Sequence, residues 1–454
     1  MTTEIDINNE IAGASIGTFH WKIGLIIAAI MFFDGYDLFN AAYIIPFVMK
    51  TWRPSASEIG MMLSSGIVGM SIGSLVQGFA ADRIGRRRVM VCGLYLLAVS
   101  NLLLATVVHT SLQFAIFRLV LGMCLGMNAP LAIAYVNEWA PRKSANVYAI
   151  WVLLVGFSIG GIAAGAAGIY LTGTYGWQAL YYLGTAVILV AVFAHLALPE
   201  SIAFLVLRRR DHEVASLLCR LRAERIAVYR DATFVTKESG NRTASPLSVL
   251  RRPYRRNTLV VWVVGAASLF CIHGLTGWLP SVMVARGEAM SSAFAYSALV
   301  MLASLFGSLS SGVLADRIGS RIKAMGILYL LASASMVGLA LVSGRGVTFV
   351  LVIAAGFFVF GAQAVLNNFI AMVYHTGVRA TGVGVAIAVG RVGGILGPFV
   401  IGLVKSIDPD PMYTFFLLAI ALLIAGATLV LARHEITSGH VEEEQVTSLK
   451  TRSA

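Results

Sequence analysis

Twelve long apolar stretches constrain this chain more than any other feature of its sequence. About 20 apolar residues are enough to cross a bilayer as a helix, and the main-chain polar groups of such a segment must bond within it. Only 12% of the 454 residues are charged, where a soluble domain carries about 25%. The sequence therefore predicts an all-α integral membrane protein. The predicted spans 1 to 12 are residues 22–48, 58–80, 89–108, 112–136, 147–171, 177–198, 257–279, 292–314, 324–343, 347–373, 381–405 and 411–432.

The longest polar stretch separates the twelve spans into two groups of six. Lys and Arg are concentrated in the loops that share a side with the N-terminus, and this asymmetry places that side in the cytoplasm. We expect a multi-pass protein of the inner (plasma) membrane with both termini in the cytoplasm. The expected parts are an N-terminal cytoplasmic tail (1–21), a six-helix half (22–198), a cytoplasmic central loop (199–256), a second six-helix half (257–432) and a C-terminal cytoplasmic tail (433–454).

The net charge of +12 comes from these loops, because the basic residues lie beside membrane spans rather than in one nucleic-acid-binding patch. We expect membrane lipid, and not nucleic acid, as the partner of this surface. Within the central loop, residues 212–229 have the apolar spacing of an amphipathic helix. This pattern favours a helix lying on anionic lipid over a site for a regulatory partner.

Two acids in span 1 are the most costly residues of the sequence. Asp34 and Asp37 lie in the stretch Phe-Phe-Asp-Gly-Tyr-Asp, inside a run of otherwise uncharged residues. A carboxylate at the centre of a bilayer costs about 2.5–3.5 kcal/mol on the insertion scale. Residues three apart project from one face of a helix, about one turn apart. The pair must therefore face the interior, where a carboxylate can take up a proton, or where one acid neutralises a buried arginine.

The sequence contains an internal repeat. Residues 81–85, Ala-Asp-Arg-Ile-Gly, recur as residues 315–319, and each copy follows the second span of its half. An identity of this length at equivalent positions indicates a duplication of six spans.

Three stretches of the chain resemble signatures of the major facilitator superfamily. They are residues 78–87 between spans 2 and 3, the pair Arg118 and Gly122 in span 4, and residues 198–201 at the end of span 6. The resemblance implies twelve transmembrane helices in two pseudo-symmetric six-helix halves. It also implies a conformational latch on the cytoplasmic side, and Ser320 in place of an arginine suggests that the second copy is weaker. The expected latch residues are Asp82, Arg83, Gly85, Arg86, Asp316 and Arg317.

Arg118 in span 4 and Arg391 in span 11 are the bases placed deepest in the predicted spans. A guanidinium stays charged and can bind a carboxylate through two parallel hydrogen bonds. We expect Arg391 to bind the substrate anion or, alternatively, to pair with a span 1 acid. We group Arg118 with the substrate-binding residues, in a structural or coupling role, with Glu138 or a span 1 acid as its partner.

Two motifs together narrow the resemblance. The Asp-Gly-Tyr-Asp motif of span 1 and the glycine-rich sequence around Arg391 resemble the aromatic acid:proton symporter family, which carries benzoate-like, hydroxybenzoate-like and muconate-like acids. That resemblance implies a proton-coupling role for Asp34 and Asp37 and a substrate-binding role for Arg391. Aromatic and polar side chains would complete the pocket. The expected pocket residues are Tyr36, Asn40, His273, Gln363 and Asn367.

We therefore expect a monomeric, proton-coupled symporter that imports a small, aromatic carboxylic acid by alternating access. Alternatives with the same fold are a dicarboxylate/muconate or sugar symporter and a drug–proton exporter, although span 5 lacks the proline usual in such exporters. An alternative from another class is a transporter-like membrane receptor. The sequence has no ATP-binding loop, no metal-ligand spacing and no catalytic constellation. We expect no cofactor, no metal and no enzymatic activity.

Overall fold

The computed structural model describes residues 3–14, 16–141, 148–229, 232–236, 245–251, 254–342 and 344–432. Within these ranges twelve helices are long and apolar enough to cross a membrane, each where the sequence predicts one. The all-α membrane fold is therefore confirmed. Spans 1 to 12 are Thr18–Thr51, Ala56–Ile84, Arg86–Thr106, Ser111–Trp139, Ile150–Tyr175, Gln178–Ala197, Arg255–Ala285, Met290–Ile318, Arg321–Leu341, Arg345–Val373, Gly377–Ile407 and Pro411–Leu431.

Several spans extend beyond the predicted apolar stretches, because polar residues cap their ends. Ser55 begins span 2 with a capping box: the N–H of Glu58 donates to the Ser55 hydroxyl at 3.3 Å, and the Glu58 carboxylate accepts from the N–H of Ser55 at 2.7 Å. At its other end span 2 continues to Ile84. Asp82 and Arg83 therefore lie in the last turn of a helix and not in a loop.

Spans 5 and 6 depart from a continuous α-helix. Span 5 begins with a π-helical turn over Ile150–Val155. Span 6 consists of two helices, Gln178–Gly184 and Val187–Ala197, with an interruption between them. Irregular turns of this kind within helices are frequent at functional sites.

Glycines bring two pairs of spans in the first half into main-chain contact. A Cβ on Gly69 of span 2 would overlap the carbonyl oxygen of Leu119 in span 4. In the same way, a Cβ on Gly160 of span 5 would overlap the carbonyl oxygen of Phe32 in span 1. Small residues allow helices in a membrane to approach this closely, so dispersion contacts hold the pairs together.

The equivalent spans of the second half pack in the same way. A Cβ on Gly307 of span 8 would overlap the carbonyl oxygen of Phe357 in span 10, and a Cβ on Gly393 of span 11 would overlap that of Ala266 in span 7. Pairs 2–4 and 1–5 thus recur six spans later as pairs 8–10 and 7–11. The repeat found in the sequence is therefore also a repeat of helix packing.

The chain divides into two compact units, Met1–Gly240 with Thr276–Leu302 and Asn241–Leu275 with Ala303–Ala454. The first unit contains spans 1 to 6 and the adjoining ends of spans 7 and 8, where the ring of Phe294 packs edge-on against that of Tyr43 at 5.2 Å. The second unit contains the rest of spans 7 and 8 together with spans 9 to 12. The five-part division expected from the sequence stays a prediction.

The tail–loop module, defined as the described residues of 3–12 and 202–235, belongs to the first unit. Strand β1 (Thr3–Asp6) of the tail pairs in parallel with strand β2 (Ala232–Val235) of the central loop. Two strands alone are marginally stable in water. Side-chain contacts must therefore supply most of the stability of this module.

An ion cluster centred on Glu10 holds the tail to the loop. The side chain is buried, and its carboxylate accepts hydrogen bonds from the Tyr229 hydroxyl at 2.6 Å, from Arg222 at 3.2 Å and from Arg225. Burial, together with the hydrogen bond to Glu10, raises the pKa of Tyr229 well above its ordinary value. The phenol therefore stays protonated and donates to Glu10 throughout the physiological pH range.

The helix Asp211–Leu221 buries its apolar face inside the protein. Val214 and Leu218 have no exposed surface, and this helix contacts the tail helix Ile7–Ala12, whose Ile11 is also buried. The expectation that this segment lies on lipid is therefore wrong. Its apolar stripe serves as the core of the tail–loop module.

Candidate functional site

Both acids predicted as the proton site have buried side chains, with 3% of Asp34 and 0% of Asp37 exposed. Amide donors surround the carboxylate of Asp37. Its Oδ2 accepts from Nδ2 of Asn101 in span 3 at 2.8 Å, and its Oδ1 accepts from Nδ2 of Asn40 in span 1 at 3.2 Å. Because both donors are neutral, they bind this carboxylate without cancelling its charge.

Arg118, buried in span 4, bonds to the main chain of span 1. Its guanidinium donates to the carbonyl oxygens of Asp37 and Leu38, at 2.6 and 2.8 Å, and to Oδ1 of Asn40 at 3.4 Å. Within the described part of the chain Arg118 forms no salt bridge. The arginine thus places a permanent positive charge beside Asp37 without bonding to its carboxylate.

Glu138, one of the two partners expected for Arg118, pairs elsewhere. It lies at the other end of span 4, where it forms an ion pair with Arg86 at 3.0 Å. The same carboxylate accepts from the Ser201 hydroxyl at 2.9 Å and from the N–H of Ala203 at 2.6 Å. The expected Arg118–Glu138 pair is therefore wrong, because about 20 residues of helix separate the two side chains by about 30 Å.

Small residues make room for the buried polar cluster. A Cβ on Gly66 of span 2 would stand 3.2 Å from Nε of Arg118, so the arginine side chain packs closely against the main chain there. Tyr36 faces span 6, where its hydroxyl donates to the carbonyl oxygen of Leu180 at 2.8 Å. The structure thus brings together four of the predicted site residues of the first half: Asp37, Asn40, Arg118 and, on the adjoining turn, Tyr36.

In the second unit, Arg391 and His273 are electrostatic neighbours. The edge of the His273 ring packs against the main chain of Gly394, where a Cβ would stand 2.7 Å from Cδ2 of the ring, and Gly394 follows Arg391 by one turn of span 11. His273 and Arg391, both predicted pocket residues, therefore lie close together where span 7 packs against span 11. On span 10, Nε2 of Gln363 donates to Oδ1 of Asn367 at 2.9 Å, so these two predicted residues bond to each other.

The first copy of the repeat joins spans 2 and 3 through a glycine with a left-handed backbone. Gly85 has a φ of +101°, which residues with a Cβ rarely adopt, and a Cβ there would overlap the Glu200 carboxylate. Glu200 accepts from the N–H of Arg87 at 2.9 Å. A carboxylate at this helix N-terminus complements the helix dipole.

The acids expected in the latch, Asp82 and Asp316, are both exposed at the ends of spans 2 and 8. Among the described residues, the carboxylate of Asp82 takes part in no hydrogen bond or ion pair, whereas the carbonyl oxygen of Arg83 accepts from Arg208 at 2.9 Å. Arg83 and Arg317 are exposed as well. The role of these residues as a latch stays a prediction.

Ser320, which replaces Arg86 in the second copy, has a structural reason. It is the N-cap of span 9, and its hydroxyl accepts from the N–H of Lys323 at 3.4 Å. In the first copy the equivalent helix start is satisfied by Glu200 from a distant segment. The two copies therefore solve the same capping problem in different ways.

Asn101 and the role of Glu200 were not predicted from the sequence. Asn101 interrupts an apolar stretch of span 3, as the two acids interrupt span 1. A polar residue inside a membrane span is energetically costly, so the argument applied to the acids would also have selected Asn101. Glu200 was part of a recognised motif, but its partner at the start of span 3 is distant in sequence. Within the ranges that the structure describes, no group of three His, Cys, Asp or Glu residues is placed to hold a metal ion.

Known proteins with related sequences are transport proteins. The family model of the Major Facilitator Superfamily matches residues 25–398 and 299–451. The benzoate transport protein of Acinetobacter baylyi is 29% identical over 441 residues, which cover 95% of this chain and 93% of that protein. The gallate transporter of Pseudomonas putida is 29% identical over 438 residues, which cover 95% of each.

Among solved structures, the inward open conformation of the xylose transporter XylE from E. coli is similar to this chain with a TM-score of 0.74. The two are 15% identical, and the match covers 92% of this chain and 97% of that one. At this identity the likeness shows the fold alone. The family model, by contrast, matches most of the sequence, from span 1 to the C-terminal residues. The chain therefore belongs to the Major Facilitator Superfamily, a family of membrane transporters and not of enzymes.

Proposed function

We propose that the protein is a proton-coupled symporter that imports a small aromatic carboxylic acid by alternating access. The names of the two relatives support the substrate class, because benzoate and gallate are both aromatic rings that carry a carboxylate. The resemblance of the span 1 and span 11 motifs to the aromatic acid:proton symporters supports the same reading.

One observation carries the proposal of proton coupling. The carboxylate of Asp37 is fully buried in a membrane span, and the groups bonded to it in the described structure are neutral amides. A buried carboxylate of this kind can alternate between a charged and a neutral form without breaking an ion pair. Asp34, buried one turn away on the same helix, is the second acid of the proposed proton site.

For the substrate we propose Arg391, with His273 beside it, as the main anchor. A guanidinium can bind the two oxygens of a carboxylate through parallel hydrogen bonds, and a histidine can bond a ring hydroxyl. We propose Tyr36, Asn40, Arg118, Gln363 and Asn367 as further pocket residues. An anion at Arg391 and a proton at Asp37 together carry no net charge into the cell.

Alternating access requires that one side of the carrier closes while the other opens. We propose that Asp82, Arg83, Gly85 and Arg86, with Asp316 and Arg317 in the second copy, form the latch of this switch on the cytoplasmic side. The contacts of Arg86 with Glu138 and of Glu200 with the start of span 3 support a role for this region in a conformational change. We also propose an inner-membrane location, cytoplasmic termini and a monomeric carrier.

The experiment is transport by the purified protein in liposomes that contain a pH-sensitive dye. Adding benzoate or gallate outside should acidify the lumen faster than in protein-free liposomes, which correct for the acid that diffuses through lipid. Succinate serves as the aliphatic comparison and should give a smaller effect. Binding of the aromatic acids without any flux above the protein-free rate would show a receptor and would overturn the proposal. Acid transport without proton movement would reject the coupling alone.

A further inference from the structure

Asn101 is a buried polar residue of span 3 to which the proposed function assigns no role. Its side chain has no exposed surface, and its Nδ2 donates to Oδ2 of Asp37 at 2.8 Å and to the carbonyl oxygen of Leu97 at 3.2 Å. Its Oδ1 has no hydrogen-bond partner among the residues that the structure describes. The amide is therefore hydrogen-bonded through its nitrogen only. A buried hydrogen-bond acceptor without a partner costs free energy.

The unsatisfied end of the amide points toward the interruption of span 6. A Cβ on Gly184 would stand 2.5 Å from Oδ1 of Asn101 and 2.9 Å from Oδ1 of Asp37, so the main chain of Gly184 lies directly beside both groups. At the interruption the N–H of Ile188 donates to the carbonyl of Thr185 at 3.0 Å instead of to that of Gly184. The Gly184 carbonyl therefore does not accept the helical hydrogen bond that the N–H of Ile188 would ordinarily give it.

The other titratable and charged groups around Asp37 lie on spans 1, 4 and 6. Arg118 of span 4 donates to main-chain carbonyls of span 1, and Tyr36 donates to a main-chain carbonyl of span 6. Tyr181 of span 6 is an electrostatic neighbour of both Asp37 and Arg118, and Cys124 of span 4 is one of Asp37. Asp34 lies one turn earlier in span 1. Two amides bond directly to the carboxylate, Asn40 and Asn101. The Oδ1 of Asn40 accepts from Arg118, whereas the Oδ1 of Asn101 has no partner among the described residues.

We propose that Asn101 is the positioning residue for proton transfer at Asp37, and that its amide rotates by half a turn whenever Asp37 gains or loses a proton. Beside the charged carboxylate, Nδ2 donates to Oδ2 of Asp37. When a proton binds Oδ2, the new O–H group donates to Oδ1 of the rotated amide, and Nδ2 turns toward the main chain of Gly184. An amide suits both states because its two ends are alike in size and opposite in hydrogen bonding.

In this scheme Asp37 carries the proton throughout, and Asn101 neither gains nor loses one. Its contribution is to give the carboxyl group of Asp37 a hydrogen-bond partner in both forms, since this group accepts from the amide when it is charged and donates to the amide when it is protonated. The inference rests on the proposed function, since it takes Asp37 as the proton carrier.

The test compares two rates in liposomes for Asn101→Leu, which keeps the approximate size and removes both hydrogen-bonding ends. One rate is the exchange of labelled for unlabelled acid at equal pH, which requires no net release of the proton. The other is the initial rate of net uptake under an imposed pH gradient. The labelled probe is whichever of benzoate and gallate the wild type carries faster, and protein-free liposomes provide the background.

We expect Asn101→Leu to keep exchange within about twofold of wild type and to lose at least about tenfold in net uptake. Asn101→Asp provides a second variant of native size. The two carboxyls would share one proton, so we expect the same split between the two rates. If exchange and net uptake fall in proportion in the two variants, Asn101 has a merely structural role. If both rates stay at wild-type values, Asn101 takes no part in the mechanism. Either result overturns the proposal.

Asn128→Leu is the matched control, since Asn128 is a buried amide of span 4 packed against Gly93 and not against Asp37. Its ratio of net uptake to exchange should equal that of wild type. Asp37→Asn separates this inference from the proposed function. If that variant keeps pH-driven uptake, Asp37 is not the proton carrier, and its proposed role fails together with the present inference. If it loses pH-driven uptake while both Asn101 variants keep it, only the present inference fails.

Discussion

Arg118 donates a hydrogen bond to the main-chain carbonyl of Asp37, at 2.6 Å, and not to its carboxylate. A buried arginine and a buried acid on neighbouring helices would ordinarily be expected to form an ion pair. Here the guanidinium instead fixes span 1 to span 4 through two carbonyl oxygens. The acid therefore has a positive charge nearby and, among the described residues, forms no salt bridge, which is compatible with the proposed proton site.

Replacing Arg118 tests this arrangement. Arg118→Lys keeps the charge, but a single ammonium cannot reproduce the planar fork that spans the carbonyls of Asp37 and Leu38. We expect the uptake rate in liposomes to fall by about tenfold or more, together with a lower unfolding temperature in detergent. Arg88→Lys, at an exposed position of span 3, is the control and should behave like wild type. Normal uptake by Arg118→Lys would show that the fork is dispensable.

A second substitution tests the substrate anchor. Arg391→Lys should weaken binding of benzoate or gallate about ten- to hundredfold, because one charge-assisted hydrogen bond of about 1.5–3 kcal/mol is lost. Titration calorimetry on the purified protein measures this affinity. Arg379→Lys, exposed at the start of the same helix, should leave it unchanged. Equal affinity of Arg391→Lys and wild type for both acids would exclude Arg391 from the binding site.

The twelve spans could be predicted because each needs only one property, an apolar run as long as the bilayer is thick. Their ends could not be predicted from hydropathy, since caps such as the Ser55–Glu58 box extend helices into polar sequence. The segment 212–229 was misassigned for a related reason. An apolar stripe shows that a helix has one buried face, but the same stripe fits lipid and the tail helix Ile7–Ala12 equally well.

Close helix packing gives a prediction about stability. Gly69→Ala places a Cβ over the carbonyl oxygen of Leu119, so spans 2 and 4 must separate, at a cost of about 1–3 kcal/mol. Gly78→Ala on the same helix meets no atom within 4 Å and should be neutral or slightly stabilising. Thermal unfolding of the two variants in one detergent measures the difference. Similar unfolding temperatures for both would contradict the main-chain contact.

The tail–loop module can be tested without transport. Glu10→Gln removes the buried charge that Arg222 and Arg225 share, and we expect a loss of about 1–3 kcal/mol, since both arginines are partly exposed. Hydrogen exchange of the amides in residues 211–221 and 232–235 should become faster. Glu4→Gln, at an exposed position of β1, should have no such effect. Unchanged exchange in Glu10→Gln would show that the apolar core alone holds the module.

The sequence identified the charged residues of the proposed site, but it did not identify the groups to which they bond. Asp34, Asp37, Arg118 and Arg391 stand out because a charge inside an apolar run demands an explanation. Which groups they meet depends on the rotation and order of the helices, and neither is encoded in hydropathy. For this reason Glu138 was wrongly considered for Arg118.

Asp37 is the proposed carrier of the proton that drives uptake of an aromatic acid. The most direct test of this role is the initial rate of uptake of labelled benzoate or gallate by Asp37→Asn in liposomes, with and without an imposed pH gradient, corrected for protein-free liposomes. Asp34→Asn, measured alongside, reports whether the second acid shares the role. We expect the gradient to accelerate uptake by wild type and not by Asp37→Asn, while exchange at equal pH persists in both. Acceleration of uptake by Asp37→Asn to the wild-type extent would show that Asp37 does not carry this proton.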